Sequence, residues 1–84
     1  MSKKILFFTA PWCAGCKTLK PHLEKLHGKV EVETIDVEQQ PDEAAAYGVV
    51  NLPTLFFIHD DELVKHRSGA SEMIIRDLLA FAQE

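Results

Sequence analysis

The sequence predicts an α/β fold: a four-stranded mixed sheet in the order β-α-β-α-β-β-α, with helices on both faces. Three observations carry this. Ile5-Leu6-Phe7-Phe8 and Thr54-Leu55-Phe56-Phe57-Ile58 are apolar runs without alternation, as expected of central strands covered on both sides. A helical repeat follows the first run, so the strand after it is parallel to the first, through a right-handed crossover. A short acidic turn, Asp60-Asp61, follows the second run, so the next strand returns antiparallel as a hairpin.

The first strand ends before Pro11, which has no N–H to give to a ladder. A helix is expected from about Cys13 to His27, with Cys16, Leu19, Leu23 and Leu26 on its inner face and Lys17, Thr18, Lys20, Glu24 and Lys25 in water. Pro21 falls inside this pattern and should kink it; Gly28 should end it. Val30 to Val37 reads as an edge strand, guarded by Glu31 and Glu33. Its alternation slips between Val32 and Ile35, which predicts a bulge or an irregular end. Pro41 to Gly48 opens with proline and acids and closes with glycine, as a short helix does. Leu63 to Arg67 forms the outer hairpin strand. Ser71 should cap a last helix whose buried stripe is Ile74, Ile75, Leu78, Leu79 and Ala82.

At 84 residues the chain is predicted to be one domain, residues 1–84, small enough that every element must contribute to the core. The formal net charge of −4 argues against nucleic acid or an acidic membrane as a partner. No window approaches the ~20 apolar residues of a membrane span. The four apolar residues after Lys3-Lys4 fall short of the roughly 7–15 of a signal-peptide core. The expectation is a cytoplasmic protein and a monomer.

The chemistry is concentrated in Thr9-Ala10-Pro11-Trp12-Cys13-Ala14-Gly15-Cys16-Lys17, which contains both cysteines of the chain. In a reducing compartment such a pair points to catalysis or metal binding before a structural staple. A strand, a loop and Cys-x-x-Cys at a helix start put Cys13 where unpaired N–H groups and the helix dipole favour an anion. A thiol there ionises more readily than a free one. Cys16, one turn on, shares that face and can close a small disulfide ring. Half of a zinc site needs further ligands, and His22, His27, His59 and His66 show no ligand-like spacing. An inter-subunit metal or iron–sulfur site is the alternative reading of the pair. Asp60, Asp61 and Glu62 read as a solvated turn, not as an acid–base pair.

Nearly the whole chain resembles the thioredoxin family. Trp12-Cys13-x-x-Cys16-Lys17 is similar to its active-site signature, and Pro21 to the proline that kinks its active-site helix. Thr34-Ile35-Asp36 and Tyr47-Gly48-Val49 are similar to the next strand's end and the entry to its proline loop. Leu52-Pro53-Thr54 resembles the cis-proline loop, and Ser68-Gly69-Ala70 the glycine segment beside the active site. There are departures. Ala14-Gly15 replaces the usual Gly-Pro. Phe7 stands where the family buries an acid beneath its second cysteine, and Val32 where a lysine accompanies that acid. About a dozen residues precede Cys13, so the chain looks like a short, glutaredoxin-sized form.

The resemblance implies a thiol–disulfide oxidoreductase that reduces protein disulfides. Cys13 would be the nucleophile and Cys16 the resolving thiol; Trp12, Leu52, Pro53, Gly69 and Ala70 would contact substrate. No cofactor is implied beyond the Cys13–Cys16 disulfide itself. The electron donor would be similar to a thioredoxin reductase. Two rivals stand beside this reading. One is a glutathione-dependent, glutaredoxin-like reductant, disfavoured by the lack of a cation in Thr9-Ala10-Pro11-Trp12. The other is a non-redox binding subunit with Trp12, Leu52 and Ala70 as an apolar patch.

Overall fold

The computed structural model describes residues 2–83. Its elements are β1 (Lys3–Thr9), α1 (Ala14–Lys25), β2 (Glu31–Asp36), α2 (Pro41–Ala46), β3 (Thr54–His59), β4 (Glu62–Ser68) and α3 (Glu72–Gln83). The sheet order is β2-β1-β3-β4. β1 and β2 are parallel, while β1–β3 and β3–β4 are antiparallel. The two uninterrupted apolar runs are therefore the two central strands.

Alternation along those strands divides the core. Ile5, Phe7, Leu55 and Phe57 face α1 and α3, meeting Cys16, Leu19 and Leu23 from one helix and Ile74, Leu78 and Phe81 from the other. Leu6, Phe8 and Phe56 face the opposite side, where Ile35 joins them and Ala44 of α2 packs on top. Tyr47 extends this second layer: its ring lies 5.5 Å from Phe8 and 5.0 Å from Phe56. On the first side, Phe81 meets Phe57 edge-on at 5.2 Å.

Two expectations need correction. The ladder between β1 and β2 runs without a shift from Lys4–Glu31 to Thr9–Asp36, so β2 has no bulge. Its apolar residues serve both sides of the sheet: Val32 packs with the α1/α3 layer, Ile35 and Val37 with the α2 layer. The irregularity lies instead in the β3–β4 pair, between Phe57 and Ile58. The stripe of α3 is also rotated. Ile74, Leu78 and Phe81 are buried, Ile75 and Ala82 pack at the margin, and Leu79 is exposed.

Polar contacts finish the frame. Arg67 of β4 reaches Asp77 of α3 at 3.0 Å. Glu33 and Glu31 bracket Lys4 at 2.8 and 3.6 Å, and the hydrogen bond to Glu33 holds the lysine's pKa above its ordinary value. Asp60 and Asp61 both adopt positive φ, 52° and 67°, the backbone a tight hairpin needs and one that aspartate tolerates.

Candidate active site

The site forms where β1 hands over to α1. The Cys13 N–H donates to the Ala10 carbonyl at 3.1 Å, closing the turn that contains Pro11 and Trp12. Cys13 is the N-cap of α1, with extended backbone, and not its first helical residue. Its Sγ accepts the Cys16 N–H at 3.1 Å. That N–H is one of the helix-start donors without an intrahelical partner, so the cap satisfies it with sulfur. The same sulfur forms a disulfide with Cys16. Cys13 and Cys16 are almost equally covered, at 5% and 3% exposure. Accessibility therefore does not distinguish the two sulfurs in this state; their position relative to the helix start does. When the pair is reduced, the Cys16 N–H and the helix dipole favour the ionised form of Cys13.

Against Gly15, between the two cysteines, lies the loop before β3. The Leu52–Pro53 peptide bond is cis, and Pro53 is fully buried. The loop is tied down on both sides. The Gly69 N–H donates to the Pro53 carbonyl at 2.9 Å, and the Thr54 hydroxyl donates to the Asn51 carbonyl. Leu52 packs its side chain into both core layers. A Cβ placed on Gly15 would lie 3.0 Å from Pro53 Cδ and 3.5 Å from Ala70 Cβ. The residue between the cysteines therefore allows α1, the proline loop and the Gly69-Ala70 segment to touch. Gly69 has φ +98°, a conformation open to glycine at little cost.

The structure thus gathers Pro53 and Ala70 against Gly15, between Cys13 and Cys16, with Gly69 hydrogen-bonded to Pro53 and Leu52 packed into the core. Trp12 stands beside them, 67% exposed. Its indole N–H donates to a Glu38 carboxylate oxygen at 2.7 Å. Glu38 is thus brought to Trp12 with no signal in the sequence to announce it. It lies on the turn after β2, 26 residues from Trp12, and no spacing pattern links the two. The Glu38 N–H in turn donates to Asp36 Oδ1 at 2.8 Å.

Beneath the disulfide a cleft of about 240 Å³ separates α1 from the sheet. Phe7, Thr34 and Asp36 line it from the strands, and Cys16, Lys17 and Lys20 from the helix. The groove continues along α1 past Leu23, Glu24 and His27 over Val32. Among the described residues, no cluster of three or more His, Cys, Asp or Glu side chains could hold a metal ion. No helix among them is long and apolar enough to cross a membrane.

A parallel β-α-β unit followed by a β-hairpin and a helix, with a capping Cys-x-x-Cys disulfide facing a cis-proline, defines a two-cysteine protein of thioredoxin fold. Comparison with known proteins makes the assignment specific. The family model described as Thioredoxin matches residues 1–82, and the chain belongs to the thioredoxin family. Thioredoxin of Bacillus subtilis (strain 168) is 39% identical over 66 residues, covering 74% of this chain and 64% of that protein. Thioredoxin of Borreliella burgdorferi is 37% identical over 86 residues, covering 92% of this chain and 74% of its own length. The X-ray structure of Fasciola hepatica thioredoxin superposes with a TM-score of 0.82 at 34% identity, covering 94% of this chain and 79% of that one. The chain spans just under two thirds of several curated relatives it matches, such as those of Bacillus subtilis and Corynebacterium nephridii.

Proposed function

We propose that this chain is a thiol–disulfide oxidoreductase that reduces disulfides in protein substrates. The observation that carries the reading is the Cys13 sulfur in the N-cap position, receiving the Cys16 N–H while bridged to Cys16. In the reduced protein, Cys13 thiolate attacks a substrate disulfide. A bond forms between Cys13 and one substrate sulfur, and the other leaves as thiolate. Cys16 then attacks Cys13, restores the intramolecular disulfide and releases the second substrate sulfur. The proline loop packs against Gly15 between the cysteines, and in this reading an extended substrate segment pairs along its backbone as an added strand. Trp12 and Ala70 supply apolar contact to either side. The electron donor in this reading is a thioredoxin-reductase-like enzyme, and the protein works as a monomer in the cytoplasm.

Single-turnover reduction of a disulfide-linked test protein such as insulin checks the reading. Cys13→Ser should abolish reduction. Cys16→Ser should accumulate a mixed disulfide with the substrate, visible by mass and cleared by dithiothreitol. Turnover that survives Cys13→Ser would overturn the proposal.

A further inference from the structure

Attack by Cys16 requires its thiolate, because the thiol is a poor nucleophile. Cys16 is 3% exposed, and apolar surroundings hold its proton in place. Phe7, which shares the core layer with it and lines the same cleft, accepts no proton. The resolving step therefore needs a proton acceptor from elsewhere.

The cleft beneath the disulfide supplies one. Among the described residues lining it, Asp36 is the only acid. Register explains how it gets there. Phe7 pairs with Thr34 and Thr9 with Asp36. Positions two apart on a strand share a face, so Asp36 stands on the side of the sheet that α1 covers. The other charged or titratable groups facing the cleft are Cys13, Lys17 and Lys20, all from α1 or its cap; Glu24 and His27 line the groove farther along. Lys17 and Lys20 bring positive charge to the cleft. The cleft volume of about 240 Å³ has room for several waters at ~30 Å³ each, and the Thr34 hydroxyl adds a polar group to its floor.

We propose that Asp36 accepts the Cys16 proton through a bridging water when the mixed disulfide resolves; this rests on the exchange reading above. The step balances. The Cys16 S–H bond breaks and its proton passes by way of water to the Asp36 carboxylate. Cys16 thiolate attacks Cys13 Sγ, the Cys13–Cys16 bond forms and the bond to the substrate sulfur breaks. The electron pair leaves on that sulfur, which takes the proton back through the cleft. Asp36 acts through water on the reacting sulfur and is in that sense a positioning residue.

Asp36→Asn tests this cleanly. The amide oxygen of asparagine can still accept the Glu38 N–H, so the turn is kept and only basicity is lost. Reduced protein is mixed with dithiobis(nitrobenzoate) and two releases of coloured thiolate are followed across pH. The first reports Cys13 attack, the second Cys16 resolution. In Asp36→Asn the second phase should be ~10-fold or more slower near neutrality, the low end of general-base effects. The deficit should close above pH ~9, where hydroxide ionises the thiol. The first phase should be unchanged. Superimposed second phases, or a drop by one factor at every pH, would overturn the proposal. Failure of the exchange reading looks different: wild type itself would then show no second phase.

Discussion

The Trp12 indole N–H points at the Glu38 carboxylate, 2.7 Å away, although the ring itself is mostly in solvent. An exposed tryptophan next to a reactive sulfur would otherwise sample several rotamers. The Glu38 bond selects one and fixes the ring beside Cys13. The Glu38 N–H in turn donates to Asp36, so two hydrogen bonds link the loop before α1 to the end of β2.

Removing this tether should cost recognition, not chemistry. The bond is exposed, so its worth is ~0.5–1 kcal/mol. Glu38→Ala should raise KM for a protein disulfide about two- to fivefold and leave the rate with a small aromatic disulfide unchanged. Steady-state kinetics with both substrates checks this. An equal fall with both would place Glu38 in the chemical step instead.

Gly15 should resist even a methyl group. The nearest atom to an added Cβ belongs to the Pro53 ring, at 3.0 Å, and that ring is fully buried. Overpacking of this kind costs ~1–3 kcal/mol, more than the at most ~1 kcal/mol that alanine gains over glycine in a helix. Gly15→Ala should therefore lower the urea midpoint of the oxidised protein and slow protein-disulfide reduction. An unchanged midpoint would mean that the proline loop gives way freely.

The hairpin tip should respond to acid. The Ser2 N–H donates to Asp60 Oδ1, and the Asp60 N–H donates to the Ser2 carbonyl, both at 2.8 Å. The bond from Ser2 holds the Asp60 carboxyl below its ordinary value, with the nearby His59 charge adding to it. A depressed folded-state pKa means that the contact contributes fully above the unfolded value of 3.8. The contribution is lost as pH falls through the lower folded value. Carboxyl NMR should place the Asp60 midpoint below 3.8, and Asp60 amide protection should fall with it. Asp60→Asn should remove that pH step.

Much of this was legible in the chain itself. β1 and β3 were readable as central strands because both their faces are apolar, and the cysteine spacing marked the site. The buried side of α3 was not. Ile74, Leu78, Phe81 and Ile75, Leu79, Ala82 are each spaced four and then three apart, so both satisfy a helical repeat. What decides between them is Phe57, waiting across the interface for a ring. β2 misled for a related reason: a strand end that is covered on one side early and on the other later breaks alternation without bending. Glu38 left no local trace, since its role exists only once the β1–β2 ladder is in register.

Position 13 carries two duties that can be pulled apart. A hydroxyl is among the best groups for starting a helix, whereas a methyl side chain is among the poorest. Serine there should silence electron transfer yet leave the helix properly begun, and alanine should injure both. A comparison of the two variants would tell how much of the architecture leans on sulfur as an architectural atom and how much only on an acceptor of the right reach.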